Sequence, residues 1–194
     1  MRQTIAKYIS TIGHPMITFS VFVMIVMFTY EEIHKAFLIS FLIVGGVITP
    51  NAVRNYSKTK KGDYTNFDVS VRTQRYSMYL FAIILLSILT VVLFYTGQSR
   101  NLRMGVLFGL VLLVISYLVN FFIKCSGHVS LTIFLSFLIL PINSVIGILV
   151  LLYSILIGWS RVELKRHTKK EIFAGAAIGL SIGLIMVIAE GYIR

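Results

Sequence analysis

The sequence predicts an all-α protein, a polytopic integral membrane bundle of six or seven transmembrane helices forming one domain over residues 1–194. Three observations lead there. Hydrophobic residues make up 57% of the 194 and charged residues only 13%, for a mean hydropathy of +0.89. A soluble domain of this length has no interior large enough to hide so much apolar surface. The apolar residues also come in blocks near the length of about 20 residues that a helix needs to cross a bilayer, and most ionisable residues are gathered between those blocks.

Taken in order, residues 9–30, 33–50, 77–96, 102–123 and 173–193 each read as a span. The stretch 129–159 is too long for one ordinary span. Pro141 and Asn143 near its middle argue for two short helices, because a proline removes a backbone donor and breaks the helical ladder. The opening MRQTIAKYIS is weakly basic before an apolar run, as in a signal peptide. No small-residue cleavage site follows, and EEIHK leads straight into another span, so the segment reads as a retained first helix. Cys125 is the only cysteine, which rules out an intrachain disulfide.

The formal net charge is +11. On a membrane chain this calls for no nucleic acid, and none is expected as a partner. Arg54, Lys58, Lys60, Lys61, Arg72 and Arg75 crowd residues 51–75, Lys124 stands alone, and Arg161, Lys165, Arg166, Lys169 and Lys170 crowd residues 160–170. With 129–159 counted as two passes, parity puts all of them on one side with Arg2 and Lys7. Lys35, Arg100, Arg103 and Arg194 fall on the other. One account is the positive-inside rule, which makes the basic side cytoplasmic. A second is a site for an anionic phosphate.

Three polar segments carry the groups able to do chemistry: DYTNFDVSVRTQR (63–75), KCSGHVS (124–130) and SRVELKRHTKKE (160–171). Each stands at the end of a span, and polar segments converging from distant parts of a membrane chain are what a site at the bilayer surface requires. Taken singly, each has a plain reading as an interfacial histidine or a basic anchor. His14, before Pro15, and His34 read as structural.

The combination is more specific. Ser126-Gly127-His128 is followed, after a helical hairpin, by Ser160-Arg161, five residues, His167, three residues and Glu171. This resembles the type 2 phosphatidic acid phosphatases, the membrane lipid phosphate phosphatases, over residues 60–175 or so. Their pattern is a lysine- and arginine-containing first motif, then Pro-Ser-Gly-His, then Ser-Arg-x5-His-x3-Asp. Here Cys125 stands where the family has proline and Glu171 where it has aspartate. The nearest equivalent of the first motif is Asp68-x3-Arg72-x2-Arg75, separated from the second motif by two apolar spans.

The resemblance implies hydrolysis of a lipid phosphate or diphosphate without metal or other cofactor. His167 would be the nucleophile and form a phosphohistidine, with Glu171 orienting its ring and His128 as the leaving-group acid. Arg161, Arg72 or Arg75, Lys124, Ser126 and Gly127 would hold the phosphate. Such chemistry needs a nucleophile, charge neutralisation and a proton donor, and these residue types supply all three. The sequence has no HExxH motif or carboxylate cluster of the kind hard cations need. The alternative is a non-catalytic phospholipid-binding or lipid-moving protein of the same fold. The resemblance points to a bacterial inner membrane with the site facing outward. The lysine and arginine count favours a cytoplasmic site. Cys125, inside the motif, would report the side by thiol labelling if its loop were open to solvent.

Overall fold

A computed structural model describes residues 1–191, and no strand occurs among them. The elements are α1 (Arg2–Ile12), α2 (Pro15–Tyr30), α3 (Ile33–Ile43), a π-helical turn (Val44–Ile48), α4 (Thr49–Lys60), α5 (Arg75–Tyr95), α6 (Arg100–Val119), α7 (Gly127–Ile139), α8 (Ser144–Glu163) and α9 (Lys169–Ala189). Five helices are long and apolar enough to cross a membrane: the continuous run Ile33–Lys60, α5, α6, α8 and α9. The protein is thus an all-α integral membrane bundle. Residue 193, where the last span was expected to end, and Arg194 lie outside the described residues.

Side-chain contacts fix the path of the chain. Tyr30, Glu31, Ser99, Asn101, Pro141 and Glu190 meet around one cavity at one end of the bundle. His14, Asp68, Arg75 and His128 meet at the other. The chain therefore runs between the two ends seven times, through α2, α3–α4, α5, α6, α7, α8 and α9, with α1 at the end that holds the motifs. Large apolar side chains such as Phe41, Val91, Leu149, Ile155 and Phe173 are exposed on the outside. In a bilayer these are lipid-facing, since helices satisfy their backbone polar groups internally and can present hydrocarbon outward.

The structure corrects three boundaries. The span expected at 9–30 is two helices, α1 and α2, bent by 46°. Pro15 cannot continue α1. It starts α2 instead, with His14 as N-cap accepting the Met16 N–H on Nδ1. The span expected at 33–50 continues to Lys60 because a π-helical turn absorbs Pro50, which lacks the N–H an ordinary turn would use. Its last two turns are polar, so hydropathy alone stops too early. The span 102–123 ends at Val119, and the next four residues turn towards α7. Around Pro141 the expected pair of helices is present as α7 and α8, with Asn143 capping α8 through the Ile146 N–H.

The central element is α7, only 13 residues long. It packs chiefly on α8 and α9, and also against α2 and α6. Buried inside protein, it need not match the bilayer thickness. Its hydroxyls are satisfied within the helix: Thr132 donates to the His128 carbonyl at 2.8 Å and Ser136 to Ile133 at 2.6 Å. The α7–α9 contact is made by glycines spaced four apart on α9, the small-residue pattern that lets membrane helices approach closely. A Cβ on Gly179 would lie 2.5 Å from the Ser130 carbonyl oxygen, and one on Gly175 would lie 2.6 Å from that of Ser126.

Gly179→Ala should therefore destabilise the bundle by about 1–3 kcal/mol, the usual cost of overpacking, read as a lowered Tm in detergent. Gly46→Ala, where a Cβ meets nothing within 4 Å, is the control and should leave Tm unchanged or raise it.

Candidate active site

The site is built on one buried cation. Arg161, in the last turn of α8, is 1% exposed. Its Nη1 donates to Asp68 Oδ2 at 2.7 Å and to Ser10 Oγ at 2.6 Å. Its Nε and Nη2 are buried with no protein partner. A buried guanidinium needs a counter-charge and acceptors for its donors. Here one edge is clamped and the remaining donors are left for something else.

Asp68 comes from the 61–74 connection, which is held down by its own contacts. Buried Tyr64 accepts from Arg54 Nη1 at 2.7 Å and pairs with Ser77 Oγ at 2.7 Å. Val69 is buried in the left-handed region (φ 49°), a strained conformation for a β-branched residue. The turn aims the Val69 carbonyl at Arg75 Nε, 2.9 Å away. Arg75 Nη1 donates to the Cys125 carbonyl at 2.7 Å, and Nη2 lies 3.4 Å from His167 Nε2. Burial pushes the Asp68 carboxyl up, but His14, His128 and Arg161 more than offset this and hold it well below the usual carboxylate range.

His167 lies in the short α8–α9 connection and is 5% exposed. Its Nδ1 is 3.0 Å from Glu171 Oε2. A carboxylate only accepts, so the ring proton belongs on Nδ1 and the lone pair on Nε2. The same Glu171 oxygen accepts the Thr168 N–H, while Thr168 Oγ1 accepts the Glu171 N–H. This capping box starts α9 and fixes the carboxylate that aims the ring. Burial, then Arg75, Arg161 and Lys124, push His167 down to about 2, so the ring is neutral across physiological pH.

The segment Ser126–His128 is hooked onto the start of α9. The Ser126 N–H donates to the Glu171 carbonyl at 3.1 Å, and Gly175 packs against the Ser126 backbone. Ser126 is the N-cap of α7, and its hydroxyl is buried without a partner. Gly127 opens the helix, whose first amides have no intrahelical acceptor and suit an anion. His128 is 6% exposed, and its Nε2 is likewise buried and unpartnered. Lys124 is anchored by its donors, to the Arg166 carbonyl at 2.8 Å and the Ser70 carbonyl at 3.3 Å, with Glu171 Oε2 at 3.5 Å.

The structure thus brings together Lys124, Ser126, Gly127, His128, Arg161, His167, Glu171 and, of the two arginines expected from 63–75, Arg75. Arg72 is excluded. It is exposed, and its Nη1 donates to the Phe122 carbonyl at 2.9 Å, in the connection between α6 and α7. Two residues separate the two arginines, and only the second turns inward, where the Val69 carbonyl accepts from its Nε. Cys125 is fully buried, its Sγ 3.9 Å from the Ser116 carbonyl oxygen. It is closed to thiol reagents and cannot report sidedness.

His14, expected to be structural only, belongs to the site. With Nδ1 accepting the helix-capping bond, its proton sits on Nε2, 3.4 Å from Asp68 Oδ1. Its ring meets that of His128 edge-on at 5.1 Å. In sequence its only signal is a helix-start position before proline. His14, Asp68 and His128 place ligand-type atoms within 4.8 Å of one another. The set does not suit a divalent cation, because Arg161 already holds the carboxylate and Arg75 adds positive charge nearby. Comparison of the chain with protein-family models, with curated proteins and with solved structures finds no match.

Two measurements check this geometry. Asp68→Asn leaves Arg161 buried and uncompensated, and should cost about 3 kcal/mol of stability, read as a loss of Tm in detergent. In protein with 15N-labelled histidine, one ring should stay in the Nδ1–H tautomer from about pH 8 to about pH 4. The sign follows from linkage. The unfolded chain protonates His167 near 6.5 while the folded chain resists to about 2, so this residue makes stability fall as pH drops below 6.5.

Proposed function

We propose that this protein is a metal-independent phosphatase acting on a lipid phosphate or diphosphate within the bilayer. One observation carries the reading. A neutral histidine, with its ring proton committed to a carboxylate, is surrounded by Arg75, Arg161 and Lys124. Near it Arg161 Nε and Nη2, Ser126 Oγ and His128 Nε2 are buried with no protein partner. Buried polar atoms are normally satisfied, and a phosphoryl group supplies acceptors for the donors in this set.

In this reading the phosphoryl group displaces Arg75 from His167 Nε2 and takes its forked donors together with those of Arg161. The Nε2 lone pair forms an N–P bond while the bond from phosphorus to the leaving oxygen breaks. Glu171 holds the Nδ1 proton and stabilises the cationic phosphohistidine, as a buried carboxylate does in a catalytic triad. His128 gives its proton to the departing alkoxide or phosphate. Water then attacks phosphorus, His128 takes its proton, and His167 leaves with its lone pair restored. Phosphate and a lipid alcohol, or a lipid monophosphate, are the products. The spread of charge on the non-bridging oxygens is met by fixed donors in a dry site, where such contacts count most.

The reading extends to location. The protein belongs to a bacterial inner membrane, with the site on the cytoplasmic side. Setting aside Arg72, Arg75, Lys124 and Arg161, the motif end keeps Arg2, Lys7, Arg54, Lys58, Lys60, Lys61, Lys165, Arg166, Lys169 and Lys170. Among the described residues Lys35, Arg100 and Arg103 remain for the other end, a bias in short connections where the positive-inside rule holds best.

The detergent-solubilised protein should release phosphate from at least one of a panel of lipid phosphates and diphosphates. His167→Ala should reduce that release by several orders of magnitude while the protein still inserts and folds, since covalent catalysis has no substitute in the site. Retention of more than a few per cent removes His167 as nucleophile, and loss of activity in EDTA restored by Mg²⁺ or Zn²⁺ removes the histidine mechanism. Release from no lipid, with binding intact, favours the lipid-binding alternative. For sidedness, a cysteine at exposed Lys61 should resist a membrane-impermeant maleimide in intact cells and react after permeabilisation; labelling in intact cells reverses the orientation.

A further inference from the structure

Below the site the bundle is not filled. A cavity of about 220 Å³ opens at His14, Asp68, Arg75 and His128 and continues between α2, α5 and α6 over Leu86, Val106 and Leu112. A second cavity, of about 430 Å³, lies next to it, with Phe19 and Val106 in the walls of both. Together they line α6 from Ser116 to Leu102, which at 1.5 Å per residue is about 21 Å of depth, most of a hydrocarbon core about 30 Å thick. The end at the motifs is cationic and polar, the middle between Leu112 and Gly105 is apolar, and the far mouth carries Glu31, Asn101 and Glu190; the first two match an anionic head followed by a hydrocarbon chain.

Near the motif end the wall carries a polar group that the phosphate chemistry does not use. Asn51 and Asn55 stand one turn apart on α4, just after the π-helical turn, and both line the upper cavity. Asn51 is satisfied, its Nδ2 donating to the Val47 carbonyl at 2.8 Å. Asn55 is 3% exposed and its Oδ1 is buried with no partner. An amide oriented either way leaves one group unpaired, and a hydroxyl, which both donates and accepts, answers either orientation. An unmade bond to such a group costs more than a made one gains, so a substrate lacking the hydroxyl is penalised.

Resting on the phosphatase reading for the identity of the head, we infer that the cavity is a specificity pocket for one long hydrocarbon chain. Asn55 reads a hydroxyl on the backbone beside the phosphoester. The preferred substrate class is then a single-chain lipid phosphate with a hydroxylated backbone. Polyprenyl phosphates, which have no such hydroxyl, and two-chain lipids, whose second chain finds no room in the passage, rank below it.

The test is equilibrium binding to the full chain in nanodiscs with two radiolabelled ligands, 1-hexadecanoyl-glycerol 3-phosphate and 3-(hexadecanoyloxy)propyl phosphate. They share a phosphate and a long chain and differ in the glycerol hydroxyl. The first should bind about tenfold more tightly. Asn55→Leu should bring the two within about twofold of each other. Gly109→Leu puts a side chain into the cavity from α6, where a Cβ has only ordinary contact with Phe134 at 3.8 Å. It should weaken both ligands about tenfold. Should that variant misfold, Ala82→Phe on α5 makes the same obstruction. Equal affinity for the two ligands overturns the role of Asn55, and unchanged binding in both obstructed variants overturns the pocket. Binding with the expected selectivity but no phosphate release sinks the phosphatase reading and leaves this inference standing. Phosphate release indifferent to both chain and hydroxyl does the reverse.

Discussion

The ion pair between Arg161 and Asp68 is the constraint on which the motif end of the bundle depends. A guanidinium buried at the end of a membrane helix is tolerated only with a counter-charge and acceptors. Asp68 can reach it only if the 61–74 connection folds inward over the helix ends. That fold brings Val69 and Arg75 with it, and Arg75 in turn ties the connection to Cys125 and His167. The other side of the clamp, Ser10, fixes α1 across α8. One charge thus organises segments that are far apart along the chain.

A second level of support comes from α9. Its first turn supplies the Glu171 carboxylate to His167 and the Glu171 carbonyl to the Ser126 amide. The next turn supplies Gly175 as the surface on which Ser126 rests. The two histidine-bearing segments are therefore positioned by a single rigid helix end rather than by each other. Sites carried on regular elements keep tighter geometry than sites on free loops. The capping box makes the start of the helix and the aim of the histidine ring the same structural event.

Much of this was legible in the sequence, and for identifiable reasons. Hydropathy blocks report helices because lipid demands an internally bonded backbone, and Pro141 with Asn143 marks a break because both act locally. The groups Ser126–His128 and Arg161–Glu171 were legible as chemistry because their spacing is short-range. What escaped was non-local. His14 looks like a helix start and is one, but its second partner, Asp68, is set by tertiary packing. Arg72 and Arg75 differ in role because only Arg75 reaches the carbonyl of Val69, a residue type that gives no sign of a left-handed conformation. The polar half of the 33–60 helix was missed because it carries no apolar signal, although it supplies Asn51 and Asn55.

The clamp on Arg161 has a consequence for how the protein is made. Ser10 and Arg161 are 151 residues apart, and Asp68 and Arg161 are 93 apart. A chain emerging from the ribosome therefore inserts α1 to α7 before the residue that closes the site exists. Until α8 arrives, Asp68 and Ser10 lack the guanidinium that clamps them together. Helix insertion can proceed one span at a time, but the motif end forms as a single late step with high loop-closure entropy. A ribosome that stalls within α8 leaves a membrane-inserted chain with no closed site, which is the form a quality-control protease would meet.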